Sequence, residues 1–332
     1  MISLSRSVAR ANKLSAPCSL VRAYSSEGGA EKKRVQSPFE KVTIFGSGLM
    51  GSGIAQVSAT YNHSVKLVDL NETALEKSQK YIMSSLKRVA KKKFPESTSD
   101  QVKFCEGVIS KIQFTTKAEE AASDADLVLE AIVENVEIKR KLVATVDAVA
   151  PNSVVFATNT SSLKVGDIFA NISEARRPNV GGLHFFNPVP QMKLLEVVKA
   201  DTTSQETFDK MFNYGLSIGK VCVSCKDTPG FIVNRLLVPY MLEAMRMVER
   251  GDATAKDIDS SMKYGAGYPM GPFELADYVG LDTSYFISNG WYTNSELKGN
   301  DLVKPPKNLK DLVDAGRFGT KSGAGFYDYT KK

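Results

Sequence analysis

Short apolar runs rich in β-branched residues alternate with longer amphipathic stretches over the first two thirds of the chain. Such runs predict strands at residues 41–45, 65–69, 126–132, 153–158, 182–186 and 194–199. Helical periodicity lies between some of them, for example over residues 52–60 and 136–149. Buried strands that alternate with helices are typical of a parallel sheet covered by helices. We therefore predict an α/β fold for this region.

Beyond Asp227 the alternation gives way to helical spacing. Apolar side chains recur every three or four positions up to Gly251, namely at Phe231, Leu236, Leu237, Tyr240, Met241, Ala244, Met245 and Val248. Asp252 is the predicted N-cap of the next helix, and a loop rich in glycine and proline over 265–272 precedes a helix at 273–279. We predict an α/β domain over residues 38–226 and an all-α domain over residues 227–332.

The composition is that of a chain with one or two apolar cores, since 42% of its 332 residues are hydrophobic and 24% are charged. Its formal net charge is +6, but Arg6, Arg10, Lys13 and Arg22 precede the first acidic residue, Glu27. Residues 28–332 carry about half of the excess, so nucleic acid is not an expected partner. No apolar run approaches the ~18 residues needed to span a bilayer, and no stable membrane insertion is expected.

Residues 1–26 contain serine, alanine, leucine and arginine but no acidic residue. This composition is typical of an organellar transit peptide, whose basic amphipathic helix is read by import receptors. The tetrapeptide Arg22-Ala23-Tyr24-Ser25 is similar to a matrix-processing site. We therefore expect residues 1–25 to be a transit peptide and the mature protein to reside in the mitochondrial matrix. A merely disordered tail is the alternative.

The four cysteines of a chain this long argue against a disulfide scaffold. Cys222 and Cys225 have the spacing of a redox or zinc motif, but residues 220–225 form a predicted strand. Residues three apart on a strand point to opposite faces, which argues against both roles. The chain has two histidines, His63 and His184, so no metal site is expected.

A glycine-rich turn, Gly46-Ser47-Gly48-Leu49-Met50-Gly51, follows the first predicted strand and opens a predicted helix. Gly46 permits a tight turn, Gly48 lets backbone N–H groups approach a pyrophosphate, and Gly51 lets helix and strand pack closely. The next apolar run ends in Asp69, 23 residues beyond Gly46. A carboxylate there accepts hydrogen bonds from ribose hydroxyls and repels a 2′-phosphate. The pattern predicts an NAD site that includes the whole turn, and an ordinary tight turn is the alternative.

Polar residues follow two of the predicted strands. Glu134 and Asn135 come after the strand at 126–132, and Asn159 to Ser162 follow the strand at 153–158. A parallel sheet presents the carboxyl ends of its strands to a ligand, so both clusters are candidates for the site. A predicted helix over 72–94 concentrates basic residues near its end. That cluster suits a phosphate, although a solvated face is the commoner reason for one.

His184 and Glu196 lie on consecutive predicted strands, 12 residues apart. A strand, a turn and a returning strand can bring the two side chains together. A carboxylate that holds one imidazole nitrogen fixes the tautomer and raises the basicity of the ring. Removal of hydride from a secondary alcohol needs such a base, because the hydroxyl proton must leave. The alternatives are a structural histidine and a glutamate that faces solvent.

Seven motifs occur in one order: GSGLMGSGIAQ, EAIVEN, NTSS, HFFNPVP, MKLLEVV, DTPGFIVNR and GYPMGPFELADYVGLD. In these motifs the chain resembles the short-chain L-3-hydroxyacyl-CoA dehydrogenases of mitochondria, from about residue 42 to residue 327. The resemblance implies a Rossmann-type NAD-binding domain and an all-α C-terminal domain that dimerises and closes the acyl pocket. It also implies NAD-dependent oxidation of (S)-3-hydroxyacyl-CoA to 3-oxoacyl-CoA in fatty acid β-oxidation.

Roles for single residues follow from the resemblance. His184 would be the general base, Glu196 its orienting partner, and Ser161 and Asn234 hydrogen-bonding groups around substrate and cofactor. Besides the glycine turn, NAD would be contacted by Asp69, Glu134, Lys139, Ser161, Asn187 and Lys321. Ser85 and Lys92, together with Ser161, would lie near the CoA moiety, whose phosphates give the basic helix a purpose.

Two other functions fit parts of the pattern. A dehydrogenase of small CoA-free 3-hydroxy acids shares the glycine turn and a helical second domain but typically uses a lysine as base, whereas this chain has HFFNPVP and Glu196. A catalytically silent NAD-binding protein would retain the fold for partner recognition. The joint presence of His184, Glu196, Ser161 and Asn234 argues against that second function.

Overall fold

A single sheet of eight strands organises the first part of the chain. The computed structural model describes residues 35–330, so the predictions for the transit peptide lie outside the described residues. The strands are β1 Lys41–Phe45, β2 Ser64–Val68, β3 Ile112–Thr115, β4 Leu127–Glu130, β5 Val155–Thr158, β6 Val180–Phe185, β7 Leu194–Lys199 and β8 Val221–Lys226. Their order is β3-β2-β1-β4-β5-β6-β7-β8. The first six are parallel in the order 3-2-1-4-5-6, which is the Rossmann arrangement.

The last two strands leave the parallel pattern. β7 runs antiparallel to β6, with His184 opposite Glu196, and β8 runs parallel to β7. Every strand predicted from the sequence is present, with ends that differ by one or two residues. β3 was not predicted, because one of its four residues is buried, whereas all four are buried in β4 and in β5.

Helices cover the sheet and then form the remainder of the chain. They are α1 Leu49–Thr60, α2 Glu72–Lys93, α3 Thr98–Ile109, α4 Ala118–Ala122, α5 Val136–Asp147, α6 Val165–Ile168, α7 Gln205–Ser217, α8 Val233–Arg250, α9 Ala255–Gly265, α10 Pro272–Val279, α11 Leu281–Asn294 and α12 Lys307–Asp314. From α8 onward the chain is helical without strands, as the change of spacing beyond Asp227 predicts. Within residues 35–330, no helix has the length and apolar character to cross a membrane.

Both faces of the sheet are buried. On β1, Ile44 contributes to the core on one face and Phe45 to the core on the other. Cys222 and Cys225 divide between the same two cores, which confirms that the strand points them to opposite faces. Burial raises the pKa of each thiol to about 12, so neither is a reactive thiolate at neutral pH.

The junction between α8 and α9 differs from the prediction. Asp252 does not cap α9, because this helix begins three residues later, at Ala255. Its backbone N–H instead bonds to the carbonyl of Met247 and completes the C-terminal cap of α8, in which Gly251 is left-handed with φ 76°. The cap of α9 is Thr254, whose Oγ1 accepts from the N–H of Asp257 at 3.1 Å. The prediction of Asp252 as N-cap was wrong, because Gly251 and Asp252 both belong to the turn that closes α8.

Asp277 fastens the end of the described chain to α10. Its fully buried carboxylate accepts from the N–H groups of Phe326 and Tyr327 and from the hydroxyl of Tyr329, each at 3.0 Å. Asp277→Asn turns one acceptor oxygen into a donor that faces these donors. We expect it to lower the free energy of unfolding by about 2–4 kcal/mol in urea titrations. The exposed Asp328→Asn is the control, and an equal unfolding midpoint for both variants would contradict the prediction.

Candidate active site

The glycine turn between β1 and α1 is shaped by contacts that exclude larger residues. Gly46 is left-handed with φ 101°, and a Cβ there would lie 2.5 Å from the carbonyl oxygen of Ala131. A Cβ on Gly51 would lie 1.8 Å from the oxygen of Gly46, whereas one on Gly48 would meet nothing within 4 Å. Gly46 and Gly51 are therefore required by packing, and Gly48 faces open space. The helix starts at Leu49 without a side-chain cap, which leaves its first N–H groups available to an anion.

A cavity of about 720 Å³ opens in front of this turn at the carboxyl ends of β1, β2 and β4. It is lined by Gly46, Gly48, Leu49 and Asp69, while Met50 and Gly51 turn inward. The carboxylate of Asp69 accepts from the N–H and hydroxyl of Ser47, at 2.8 and 2.6 Å, which fixes it beside the turn. The glycine cradle, the open space at Gly48 and this carboxylate together fit a dinucleotide with a free 2′-hydroxyl.

Lys139 is fully buried at the start of α5, beside the end of β4. Its ammonium donates to both carboxylate oxygens of Glu130, at 2.9 and 2.8 Å, and lies 3.1 Å from Oε2 of Glu134. Burial opposes the ionisation of Glu134, but Lys139 and the hydrogen bonds from Thr160 and Ser161 lower the pKa of this carboxyl. At Glu130, burial outweighs Lys139 and raises the pKa. Lys139 thus supports the cleft through Glu134, and its own contact with NAD stays a prediction.

Glu134 joins the ends of β4 and β5. Its Oε1 accepts from the N–H groups of Ser161 and Ser162, at 2.9 and 3.1 Å, and from the hydroxyls of Thr160 and Ser162. The carbonyl of Ser161 in turn accepts from Nδ2 of Asn234 on α8, at 3.2 Å. Three of the residues predicted to serve substrate and cofactor, Glu134, Ser161 and Asn234, therefore form one connected group.

His184 and Glu196 meet as the spacing predicted. They are opposite each other on β6 and β7, and Nδ1 of His184 lies 2.7 Å from Oε2 of Glu196. Both side chains are buried, and the imidazole lies between the rings of Phe186 and Phe231, with centroids 4.5 and 5.4 Å away. Because an ionised carboxylate only accepts, Nδ1 is the donor, and the lone pair of the neutral ring is on Nε2. No described residue hydrogen-bonds Nε2, which leaves it free to take a proton from a ligand.

The second oxygen of Glu196 is held by the start of α8. Oε1 accepts from the N–H groups of Ile232 and Val233, at 3.1 and 2.9 Å. The turn that aims these groups contains Gly230 with φ 80° and Phe231 with φ 50°. A left-handed conformation is a real outlier for a bulky residue such as Phe231, and such strain tends to persist at functional sites. Each oxygen of this fully buried carboxylate therefore has a hydrogen-bond partner, which fixes the side chain in place.

Four predicted contact residues lie apart from these groups. Asn187 is exposed two residues beyond β6, and the ammonium of Lys321 pairs with Asp282 at 2.6 Å. Ser85 and Lys92 are seven positions apart on α2 and so share one side of it, with Ser85 buried and Lys92 exposed. The structure does not join any of the four to the His184 pair.

Sequence reasoning missed several groups that complete the site. Glu130 was taken only as part of a buried strand. A glutamate in such a strand indicates that a cation is buried beside it. The N–H groups of Ile232 and Val233 carry no sequence signal, because any residue other than proline supplies one. Lys220 was taken only as the first residue of a strand, and its buried ammonium was not anticipated.

Comparison with known proteins covers almost the whole described chain. The family models "3-hydroxyacyl-CoA dehydrogenase, NAD binding domain" and "3-hydroxyacyl-CoA dehydrogenase, C-terminal domain" match residues 41–228 and 230–329. Human mitochondrial hydroxyacyl-coenzyme A dehydrogenase is 50% identical over 93% of this chain and 97% of its own length. A probable 3-hydroxyacyl-CoA dehydrogenase of Caenorhabditis elegans is 55% identical over 88% and 94%.

Among solved structures, (S)-3-hydroxybutyryl-CoA dehydrogenase from Ralstonia eutropha superposes with a TM-score of 0.81 at 34% identity, covering 88% of this chain and all of that one. The similarity thus extends through the sheet, the glycine turn and the helical part, in sequence as well as in structure. The chain belongs to the 3-hydroxyacyl-CoA dehydrogenase family, and its first domain is the family's NAD-binding domain.

Proposed function

We propose that this protein oxidises (S)-3-hydroxyacyl-CoA to 3-oxoacyl-CoA with NAD⁺, and that His184 is the general base. The observation that carries the proposal is the buried pair of His184 and Glu196, in which Nδ1 is held by the carboxylate and no described residue hydrogen-bonds Nε2. The family and the names of relatives at 50–55% identity agree with the reaction.

The chain's own residues account for the proton. Nε2 of His184 takes the proton of the 3-hydroxyl as the alcohol becomes a ketone, and the imidazolium that forms is stabilised by the carboxylate of Glu196. In the reverse direction the imidazolium donates the proton to the ketone oxygen. Ser161 and Asn234 orient the substrate, since their mutual hydrogen bond fixes both near the cleft.

NAD⁺ fits the cavity at the glycine turn and supplies the acceptor for the hydride. Gly46, Gly48 and the first N–H groups of α1 would hold the pyrophosphate, and Asp69 would hold the ribose hydroxyls of the adenosine half. We assign Glu134, Asn187 and Lys321 to the nicotinamide half, on the strength of the sequence resemblance and of Glu134's place at the strand ends.

The CoA moiety is assigned to the side of α2 that carries Ser85 and Lys92. We expect Lys92→Ala to raise KM for acetoacetyl-CoA by about tenfold, because one ammonium–phosphate interaction is worth on the order of 1–2 kcal/mol. KM for NADH should stay within about twofold of the wild type, since the dinucleotide cavity does not include Lys92. Lys103→Ala on α3 is the control, and equal increases of both KM values would refute the assignment.

The reaction itself is tested by following NADH absorbance with purified residues 26–332 and acetoacetyl-CoA. We expect turnover with this pair and little with NADPH or with acetoacetate, which lacks the CoA handle. Bound NADH without turnover would favour a silent NAD-binding protein. Turnover of acetoacetate as fast as of the thioester would favour a dehydrogenase of CoA-free hydroxy acids.

Location and assembly extend the proposal. Relatives that are named mitochondrial, at 50% identity, support a mitochondrial location, and the acid-free leader favours the matrix.

Large apolar side chains are exposed on the helical part, among them Leu236, Tyr264, Tyr278 and Phe286, at 71, 87, 57 and 59%. An exposed apolar surface of this kind supports the proposed homodimer, which sedimentation velocity would test. We also propose that the domains divide at residues 226/227.

A further inference from the structure

Lys220 is a buried cation immediately before β8. It is 7% exposed, and its ammonium donates to the carbonyl oxygens of Val189 and Met192, at 2.5 and 2.7 Å. The ring of Phe185, the residue after His184, lies 5.8 Å from the same ammonium. The hydrogen-bond acceptors and the aromatic ring next to the ammonium therefore belong to the end of β6 and to the segment 186–193 that follows, here called the β6–β7 loop.

This ammonium lacks the partner that other buried cations have. Among residues 35–330 the buried cations are Lys139, Arg176 and Lys220. Lys139 is paired with Glu130 and Glu134, and Arg176 with Asp147, whereas no carboxylate of the described chain forms an ion pair with Lys220.

Burial lowers the pKa of Lys220 to about 8, because the charged ammonium is removed from water and its hydrogen-bond acceptors are neutral carbonyls. An apolar side chain of similar length would avoid that cost but would leave the two carbonyl oxygens without this donor. The lysine therefore secures the conformation of the segment that carries these carbonyls.

The loop that Lys220 holds is also fixed from the opposite side. Val189 is 1% exposed and packs against Gly53 of α1, where a Cβ would lie 2.8 Å from the Cβ of Val189. The loop is thus enclosed between the helix of the glycine turn and the ammonium of Lys220. It carries Asn187 and begins directly after Phe185, the residue that follows His184 at the end of β6.

We propose that Lys220 is a positioning residue for the dehydrogenase reaction. Its two hydrogen bonds fix the β6–β7 loop, and the loop places Asn187 and the end of β6, with His184, against the cofactor cleft. The inference rests on the proposed function, because Asn187 and His184 have their roles there. A lysine is suited to the task, since one ammonium can donate to two carbonyls that point to a common centre.

The test compares Lys220→Met with Lys220→Arg in the full-length mature protein. We expect Met to lower kcat with acetoacetyl-CoA by at least about tenfold and to raise the Kd of NADH, measured by its fluorescence, by about fivefold. KM for acetoacetyl-CoA should change less than about twofold, because the CoA side of the cleft is untouched. Arginine keeps the charge and the donors and should restore at least about a third of the lost kcat.

Lys199→Met is the matched control. Lys199 ends β7, which is paired with β8, and lies at the opposite end of these two strands from Lys220. Its ammonium donates to Gln205, and the variant should behave as the wild type. Wild-type kcat and NADH affinity in Lys220→Met would overturn the proposal. So would a loss in Met that arginine does not restore, or a loss that matches the fraction of unfolded protein seen by circular dichroism.

Two further measurements keep the outcome decisive. If the Met variant does not fold, Lys220→Gln, which keeps a neutral donor but is too short to reach both carbonyls, is measured in the same way. Wild-type kcat and Kd in that variant would overturn the proposal. The Kd of NADH does not depend on turnover. A wild-type protein that binds NADH without reducing acetoacetyl-CoA would contradict the proposed function, whereas the role of Lys220 in positioning the β6–β7 loop would still be tested by the Kd of NADH.

Discussion

His184→Ala is expected to lower kcat for acetoacetyl-CoA reduction by roughly 10²–10⁴-fold, the usual effect of removing an acid–base group. In the proposed mechanism the imidazole is the acid in this direction. In the described chain, the other hydrogen-bond partners of the Glu196 carboxylate are backbone N–H groups, so no second side chain there could replace the ring. Stopped-flow absorbance of NADH under single-turnover conditions would measure the chemical step itself.

The binding of NADH supplies the control for this variant. The cavity at the glycine turn does not include His184, so the Kd of NADH should stay within about twofold of the wild type. Glu196 keeps both hydrogen bonds from α8, and the fold should therefore persist. A variant that retains full turnover would refute His184 as the base.

Glu196→Gln should lower kcat by a similar factor, but for a different reason. The amide oxygen of glutamine would accept from the N–H groups of Ile232 and Val233, as Oε1 of Glu196 does now. Its NH₂ group would then face Nδ1 of His184 and force that nitrogen to accept. The proton of the ring moves to Nε2, which can no longer accept the proton of the 3-hydroxyl, so we expect kcat for the oxidation of (S)-3-hydroxyacyl-CoA to fall by roughly 10²–10⁴-fold.

The tautomer makes this result testable apart from activity. The chain has two histidines, so the ¹⁵N NMR signals of His184 are readily told from those of His63. They should show the proton on Nδ1 in the wild type and on Nε2 in the variant. Glu206→Gln, an exposed change on α7, is the matched control. An unchanged kcat in Glu196→Gln would show that the carboxylate does not orient the base.

The parts of the fold and site that could be predicted from sequence are those with local signals. The strands at 41–45 and 194–199 show their periodicity within a few residues, and the glycine turn is a contiguous motif. The pairing of His184 with Glu196 could be predicted because a short connection between two strands restricts their relative placement. The individual cofactor and substrate contacts stay predictions.

Other features depend on packing between distant segments, which local patterns do not encode. The N–H groups that hold Glu196 lie 36 and 37 residues away and belong to the backbone. Lys139 and Lys220 have the residue type of a solvated surface, yet the folded chain buries both. Asp252 has the right side chain for a cap, but the closing turn of α8 takes its backbone N–H first.

The double hold on Glu196 has a consequence for how this enzyme can be divided. Its carboxylate lies on β7, but two of its three hydrogen bonds come from the start of α8, beyond the point where the two family models meet at residues 228 and 230. A fragment that ends at that point would keep the dinucleotide cavity and lose the groups that steady the base. Exchange of the helical part with that of a relative would replace the N–H groups that hold Glu196. The activity of such a chimera would therefore depend on how well the new helical turn fits this carboxylate, and not on either parent alone.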